Sequence, residues 1–269
     1  MNNISSIFSG LLGGVFVPFW ACIKHASLLN MLVKREMVVR TSGTLLGKLW
    51  PLLQPALQVL GFWFLFDIVY GMRMNTGPAF LEFLLVGMLP WLCLSEVLSR
   101  ATGMFREFSS LYRRTPFPIE ILPILIMIIP GLVYVIIYSV LCFAMFGLVA
   151  ALKSLVVIPL LLIWLLPFVL LFSILGLFIR DFAQAVPFVL TLLMYSTPIL
   201  YFPTMLPDWF QRWMWINPLT DVMALIHGLV QGTPITSANV LRLLVLWIVL
   251  LVPSWLLFRR SMPHIREVL

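Results

Sequence analysis

Charge is scarce in this 269-residue sequence, in which 10% of the residues are charged and 62% are apolar, with a mean hydropathy of +1.09. A soluble domain is about one-quarter charged, so a soluble globule of this composition would have too few charges to cover its surface. A soluble enzyme is therefore excluded. Intrinsic disorder is excluded as well, because disordered chains are poor in apolar residues and rich in charge. The composition instead indicates a protein whose solvent is the lipid bilayer.

Cysteine and other metal-binding residues are also sparse. The three cysteines, Cys22, Cys93 and Cys142, are widely spaced in apolar surroundings, which predicts buried free thiols rather than a disulfide framework. The sequence has no HExxH motif and no His/Cys cluster, so no metal site is expected. It also lacks GxxxxGKS and GxxxxGKT, so this chain is not expected to hold a nucleotide in a phosphate loop.

Six apolar runs are each long enough to cross a bilayer, which takes about 20 helical residues. They cover residues 49–70, 80–99, 119–152, 155–179, 184–201 and 240–258. Prolines inside these runs are compatible with membrane helices, because neighbouring helices can satisfy the freed carbonyl groups. The sequence therefore predicts a single-domain, all-α integral membrane protein. It would have an interface segment at residues 1–48, six transmembrane helices within 49–258 and a tail at 259–269.

The basic residues predict the orientation of these spans. With the N-terminus inside and six crossings, thirteen of the 17 Lys and Arg residues fall on the inner side, and four fall outside. The four outer residues are Arg73, Lys153, Arg212 and Arg242. Because positive charge is retained on the cytoplasmic side, both termini are predicted to be cytoplasmic.

Residues 7–23 are apolar but short, and they contain three glycines and a proline. No Lys or Arg precedes them, so the basic region of a signal peptide is missing. We expect this segment to lie in the inner membrane interface, and a seventh span is the alternative.

Two basic segments are predicted on the inner side. Residues 24–48 carry five basic residues and Glu36, and as a helix they would place Leu28, Leu32 and Val39 on one face. Residues 100–118 form an arginine-rich loop that is long enough for a short helix in contact with a cytosolic partner. The alternative for both segments is a basic stretch that serves topology alone.

Residues 202–239 form the largest outer segment, which is rich in tryptophan but broken by Asn217-Pro218 and Gly228. Two short helices in the outer leaflet fit this pattern better than a span. The alternative is an aromatic loop that only anchors the protein. Asp208, Asp221 and His227 lie in this segment and are the loose candidates for a membrane-embedded glycosyl- or acyltransferase, although they form no known catalytic pattern.

The spans offer aromatic surface rather than charge. No run has an ionisable residue at its centre, as an ion-coupled carrier usually needs. Aromatic faces can stack on sugar rings, and the alternative is packing against lipid. The first and fifth runs hold the candidate channel residues Phe62, Trp63, Phe66, Tyr195 and Tyr201. Trp63 and Phe66 are three residues apart, which predicts a shared helix face.

Several short motifs occur in order along the chain. They are KREMVVRTSGTLLGKLW at 34–50 with Pro55 following, LYRRTPFPIEILP at 111–123, FIRDF at 178–182, STPILYFP at 196–203 and INPLT at 216–220. Together they resemble the membrane subunits of ABC-2 type polysaccharide exporters. Thr41 departs from the pattern, since an aromatic residue is common after the arginine.

The resemblance implies a homodimeric channel that binds two separate ATP-binding cassette subunits. ATP and Mg²⁺ would bind to those subunits, and this chain would bind no cofactor, metal or nucleic acid. The substrate would be a lipid-linked polysaccharide of the O-antigen, capsule or teichoic acid type, exported across the bacterial inner membrane. An ABC-2 permease for a drug or lipid is the alternative.

The resemblance also implies roles for two sets of residues. Contact with the ATP-binding subunits would involve Lys34, Arg35, Glu36, Arg40, Arg106, Arg113 and Arg114. Paired re-entrant helices over residues 205–232 would form an outer gate that includes Trp209, Trp213, Asn217 and Pro218.

Overall fold

The computed structural model describes Gly13 and residues 17–43, 45–69, 71, 80–109 and 118–268. These residues are helical or irregular and contain no β-strand, which confirms the all-α fold class. The helices are α1 Ala26–Thr41, α2 Trp50–Trp63, α3 Phe80–Glu107, α4 Leu122–Phe146, α5 Leu148–Phe178, α6 Arg180–Ser196, α7 Asp208–Gln211, α8 Pro218–Gln231 and α9 Ser237–Val268. A π-helical segment, Phe64–Val69, extends α2.

Four of these helices are long and apolar enough to cross a membrane: α3, α4, α5 and α9. α2 with its extension is a shorter apolar helix, and α6 has 17 residues. Length and composition thus suit a membrane crossing in four of the six predicted spans, among the residues that the structure describes.

The structure shifts the ends of several predicted segments. The span predicted within 119–152 ends at Phe146, because Gly147 adopts a positive φ of 82° that ends α4, and residues 148–152 belong to α5. α3 continues to Glu107, so residues 100–107 belong to a helix rather than to a loop. α9 likewise continues to Val268, so most of the predicted tail is helical.

α3, α4 and α5 form the buried centre of the bundle. The Tyr138 hydroxyl on α4 donates to the Val86 carbonyl oxygen on α3, with 3.1 Å between the oxygens. Ser139 and Ser154 join α4 to α5 at 3.0 Å. Gly176 of α5 lies directly against the backbone of Thr102 on α3, and a Cβ at Gly176 would stand 2.1 Å from the Thr102 carbonyl oxygen. Only glycine fits at this position, because any other residue would add a Cβ that clashes with the Thr102 backbone.

The three cysteines are free and buried, as predicted. Cys93 and Cys142 belong to the centre of the bundle, and Cys22 lies in the N-terminal segment. Within that segment residues 17–24 are helical, and Gly13 packs on the indole of Trp255 in α9. The rest of the 7–16 stretch lies outside the described residues, so its placement in the membrane interface stays a prediction.

The bundle has two ends, each named for a helix that lies there. The α1 end contains α1, the start of α2 and the final residues of α3 and α9; the α8 end contains α7, α8 and the start of α9. α1 packs through Leu32, which is buried, and Leu28, which is half-buried. Val39 was predicted on this face but is 61% exposed, because the last turns of α1 are held by charged side chains instead.

Candidate functional site

An ion-pair network fastens α1 to α3 at the α1 end. Arg40 donates from Nη2 to Glu96 Oε1 at 2.8 Å, and its Nε lies 3.6 Å from Glu36 Oε1. Arg100 Nη2 donates to Glu36 Oε1 at 2.6 Å and to Glu107 Oε1 at 2.9 Å. Glu36 therefore lies between two guanidinium groups, one from its own helix and one from α3. Two ion pairs thus join α1 to α3, Arg40 with Glu96 and Arg100 with Glu36, while Glu107 pairs with Arg100 within α3.

The predicted partner-contact residues divide into two groups. Glu36 and Arg40 are four residues apart on one helix face and point toward α3. Lys34 and Arg35 point away from the bundle and are exposed, as is Arg106 near the end of α3. Arg113 and Arg114 lie outside the described residues. A role for any of them in contacting an ATP-binding subunit stays a prediction.

The aromatic residues of α2 lie where its helical geometry changes. The α-helix ends at Trp63, and Phe64–Val69 follow in the wider π-helical turn. Phe62 and Phe66 stack with ring centroids 6.3 Å apart and planes 10° apart. The sequence spacing had paired Trp63 with Phe66, whereas the structure shows Phe66 stacked on Phe62. Trp63 and Phe66 are both half-buried and contact the core.

The candidate channel residues after α6 are joined by a hydrogen bond. The Tyr201 hydroxyl donates to the Tyr195 carbonyl oxygen at 3.0 Å, folding the segment after α6 back onto its last turn. Tyr195 is 55% exposed, and Tyr201 is half-buried. The α6 aromatics are thus held on the surface, on a different helix from the α2 stack.

The predicted outer gate forms one substantial helix rather than two. α7 has four residues and α8 has fourteen, so the 205–232 segment is a short turn followed by α8. Asn217 caps α8 by accepting from the Leu219 amide at 3.0 Å, and it also donates to the Thr197 hydroxyl at 2.8 Å. Pro218 occupies the first position of α8, where its missing N–H costs nothing.

Two tryptophans of the predicted gate are on the surface at the α8 end. Trp209 and Trp213 are 65% and 63% exposed, and they line a shallow surface depression with Trp215. Indole rings with this exposure suit a membrane–water interface, where an apolar ring carries a polar N–H.

The loose catalytic candidates of the outer segment are held by packing partners. Asp221 is buried and forms an ion pair with Arg242 of α9; burial raises the pKa of Asp221, and Arg242 opposes that rise. His227 is buried with its ring stacked on Phe83, at a centroid distance of 4.5 Å, and burial lowers its pKa. The His227 Nδ1 lies 2.9 Å from the side-chain oxygen of Gln231.

These contacts join α8 to α9 and α3, so Asp221 and His227 have a structural role in the packing of α8. Asp208 is exposed at the start of α7. Among the described residues, no group of three or more His, Cys, Asp or Glu side chains could hold a metal ion.

A polar cleft between α2 and α3 was missed by the sequence analysis. It has a volume of about 500 Å³ and opens beside the ion-pair network. The polar and aromatic groups that line it are Arg40, Trp50, Gln54, Gln58, Ser95, Glu96, Ser99, Arg100 and Tyr134. A signal was present in the sequence, because Gln54 and Gln58 are four residues apart within one apolar run and Ser95 and Ser99 within the next. Each pair lies on one helix face.

Comparison with known families identifies the class of protein. The model of the ABC-2 type transporter family matches residues 27–230, so the chain belongs to the ABC-2 transporter membrane family. It is therefore a transport subunit and not an enzyme, and it is an integral protein of the inner membrane. Membership of an ABC transporter family also implies an ATP-binding partner subunit.

Individual relatives carry a more specific name. The chain is 27% identical over 248 residues to an O-antigen export system permease protein RfbA of Klebsiella pneumoniae, an alignment that covers 90% of this chain and 95% of the relative. It is 27% identical over 239 residues to a protein of the same name from Myxococcus xanthus, covering 83% of this chain and 90% of the relative.

Proposed function

We propose that this chain is the channel-forming subunit of an ATP-driven exporter that moves lipid-linked polysaccharide, of the O-antigen or capsule type, out of the cytoplasm. The observation that carries this proposal is the uncovered aromatic surface on α2 and α6. Phe64 on α2 is 55% exposed, and Phe188 and Tyr195 on α6 are 66% and 55% exposed. The names of the relatives and the order of the short motifs point to the same substrate class.

The proposed topology has six crossings with both termini in the cytoplasm. α2 and its π-helical extension together have 20 residues, and at about 1.5 Å per residue they reach about 30 Å, the thickness of the hydrocarbon core. α6, with 17 residues, reaches about 25 Å and crosses with the help of its flanking residues. The α1 end is then cytoplasmic, and α7 and α8 dip into the outer leaflet as the outer gate.

A second copy of the chain completes the channel. The exposed apolar residues of α2, such as Phe64 and Ile68, are covered when α2 and α6 of one copy face those of the other. Trp63, Phe66 and Tyr195 of both copies then surround the path of the polymer. Stacking on an aromatic ring contributes about 0.5–1.5 kcal/mol per pair beyond burial, which is weak enough for each sugar to be released in turn.

Two ATP-binding cassette subunits drive this channel from the cytoplasmic side. ATP and Mg²⁺ bind to those subunits, and this chain binds no cofactor. Lys34 and Arg35 on α1 and Arg106 on α3 provide exposed positive charge for the contact, together with Arg113 and Arg114. Because Glu36 pairs with Arg100, a push on α1 is passed to α3.

Deletion of the gene tests the proposal. Cells without the chain should lose surface polysaccharide and accumulate lipid-linked polymer inside, and the intact gene should restore export. Normal surface polymer, together with altered drug resistance or lipid distribution, would instead favour an ABC-2 permease for a drug or lipid.

Reporter fusions test the topology separately. Fusions at residues 110 and 265 should report the cytoplasm. A periplasmic signal at either position would contradict the six-span arrangement with both termini inside.

A further inference from the structure

The cleft between α2 and α3 brings together hydrogen-bonding side chains from two apolar helices. The side chains of Gln54, Gln58, Ser95 and Ser99 line it, and within the described part of the chain none of these four side chains has a hydrogen-bond partner. Gln54 and Gln58 are exposed, and Ser95 and Ser99 are half-buried. Their amide and hydroxyl groups are therefore open to an occupant that donates and accepts hydrogen bonds.

The charges around the cleft favour a neutral occupant. Arg40 and Glu96 line it and are paired with each other at 2.8 Å. Arg100 is paired with Glu36 and Glu107, but its Nη1 is buried and has no partner among the described residues. The two guanidinium groups are thus balanced by carboxylates, while one N–H donor group remains free. This arrangement suits a hydroxyl group better than a phosphate.

The volume of the cleft and the aromatic ring in its wall indicate which kind of neutral molecule it could hold. Its volume of about 500 Å³ lies within the range of about 300–1,000 Å³ that is usual for small-molecule sites. Trp50 stands in its wall and is 42% exposed, so a flat apolar ring is present beside the amide and hydroxyl groups. A pyranose ring has an apolar face for such an indole and hydroxyl groups for the amides.

We propose that this cleft is a carbohydrate-binding site that holds one or two sugar units of the lipid-linked polymer within each subunit, beside the cytoplasmic end of α2. The inference rests on the proposed function and adds a site to it. The site lies between two helices of the same chain and is distinct from the aromatic residues Trp63, Phe66 and Tyr195. It would hold a sugar before the polymer reaches those rings.

Site-directed photocrosslinking tests the site in the intact transporter with its ATP-binding subunits. A benzophenone amino acid is placed at Gln58, which lines the cleft, or at Leu57, its 55%-exposed neighbour that does not. The probe is the strain's own lipid-linked polysaccharide, extracted and radiolabelled in its sugars. The Gln58 position should capture at least fivefold more label than the Leu57 position. Equal capture, or crosslinks only to lipid or to a second copy of the chain, would overturn the proposal.

A binding measurement provides a second test. The double variant Gln58→Leu with Ser95→Ala should weaken binding of the labelled glycolipid about tenfold, since two hydrogen-bonding groups are lost, while the same lipid carrier without its sugars binds as before. Leu57→Ala is the control and should bind both normally. Unchanged glycolipid affinity in the double variant would refute the sugar site.

The two proposals fail in different ways. If gene deletion abolishes export but no sugar is captured at Gln58, the exporter function stands and the cleft is not its sugar site. If deletion leaves export normal, the proposed function itself fails.

Discussion

α2 and α3 are adjacent apolar helices, yet the protein buries them very differently. In α3, 78% of the membrane segment is buried, whereas among the described residues of α2 only Pro55 and Val59 are buried. α3 is enclosed by α4 and α5 and approaches α5 closely enough to need Gly176. α2 lies at the edge of the bundle, leaves much of its surface uncovered and borders a polar cleft. α3 is thus a scaffold helix. The uncovered surface of α2 is available to contact another molecule.

The largest effect is a loss of stability, expected when a methyl group is added where α5 touches α3. Gly176→Ala would place a Cβ 2.1 Å from the Thr102 carbonyl oxygen, which is backbone and cannot rotate away. We expect a loss of about 3 kcal/mol or more, seen as a lower melting temperature and poor recovery in detergent.

Gly61→Ala on α2 is the matched control, since nothing lies within 4 Å of its added methyl group. It should be neutral or stabilise the protein by up to about 1 kcal/mol. Equal destabilisation by both variants would contradict the contrast between α2 and α3.

The next effect concerns export rather than stability. Replacing Trp63, Phe66 and Tyr195 together by alanine should strongly reduce surface polymer and increase retained polymer. Dimer assembly and ATP hydrolysis should remain largely intact, because these rings are exposed or half-buried.

Phe143, Leu241 and Leu244 are exposed apolar residues on α4 and α9 and serve as the control triple. Alanine at these three positions should leave export normal. Normal export in the aromatic triple would mean that those rings only pack against lipid or protein.

A smaller effect should distinguish substitutions on the exposed face of α1 from substitutions on the face that lies against α3. Arg35→Glu changes an exposed residue and should lower co-purification of the ATP-binding subunit while leaving the melting temperature unchanged. Glu36→Lys should also destabilise the chain, by about 1–3 kcal/mol, because Arg100 loses a charged partner at 2.6 Å.

Adding Arg100→Glu to Glu36→Lys should recover part of that loss. If Glu36→Lys and Arg35→Glu behave alike in both assays, then the ion-pair network does not hold α1 to the scaffold.

The smallest effect is expected at the start of α8. Asn217→Ala removes the cap and the hydrogen bond to Thr197, at a cost of about 1 kcal/mol. Faster amide hydrogen exchange confined to the first turns of α8 would show it. Asn239→Ala, at a half-buried position in the first turn of α9, is the control and should leave exchange in α8 unchanged.

The sequence predicted the scaffold better than the edges of the bundle. Long apolar runs identify α3, α4, α5 and α9 because a bilayer requires about 20 apolar helical residues in each crossing. The end of α4 was missed, since the positive φ of Gly147 is a backbone property that hydropathy does not report. The continuation of α3 to Glu107 was missed for a related reason, because charged residues can extend a helix into water.

The sequence could not predict which side chains on different helices pair with each other. The spacing of Glu36 and Arg40 indicates a shared face, but their pairing with Arg100 and Glu96 depends on how α1 lies against α3. The stacking of Phe66 on Phe62 likewise depends on the π-helical turn. The order of short motifs along the chain indicated the family, and the match over residues 27–230 confirmed it.

The sequence by itself determined the solvent, the helical class and the main apolar helices, because sparse charge and long apolar runs leave the bilayer as the only suitable environment. The tertiary structure alone decided which helix is enclosed and which borders a cleft. Those outcomes depend on contacts between residues far apart in the chain, such as Gly176 with Thr102 and Arg100 with Glu36. Hydropathy scores each residue without its neighbours in space, so α2 and α3 look alike until the packing of the bundle separates them.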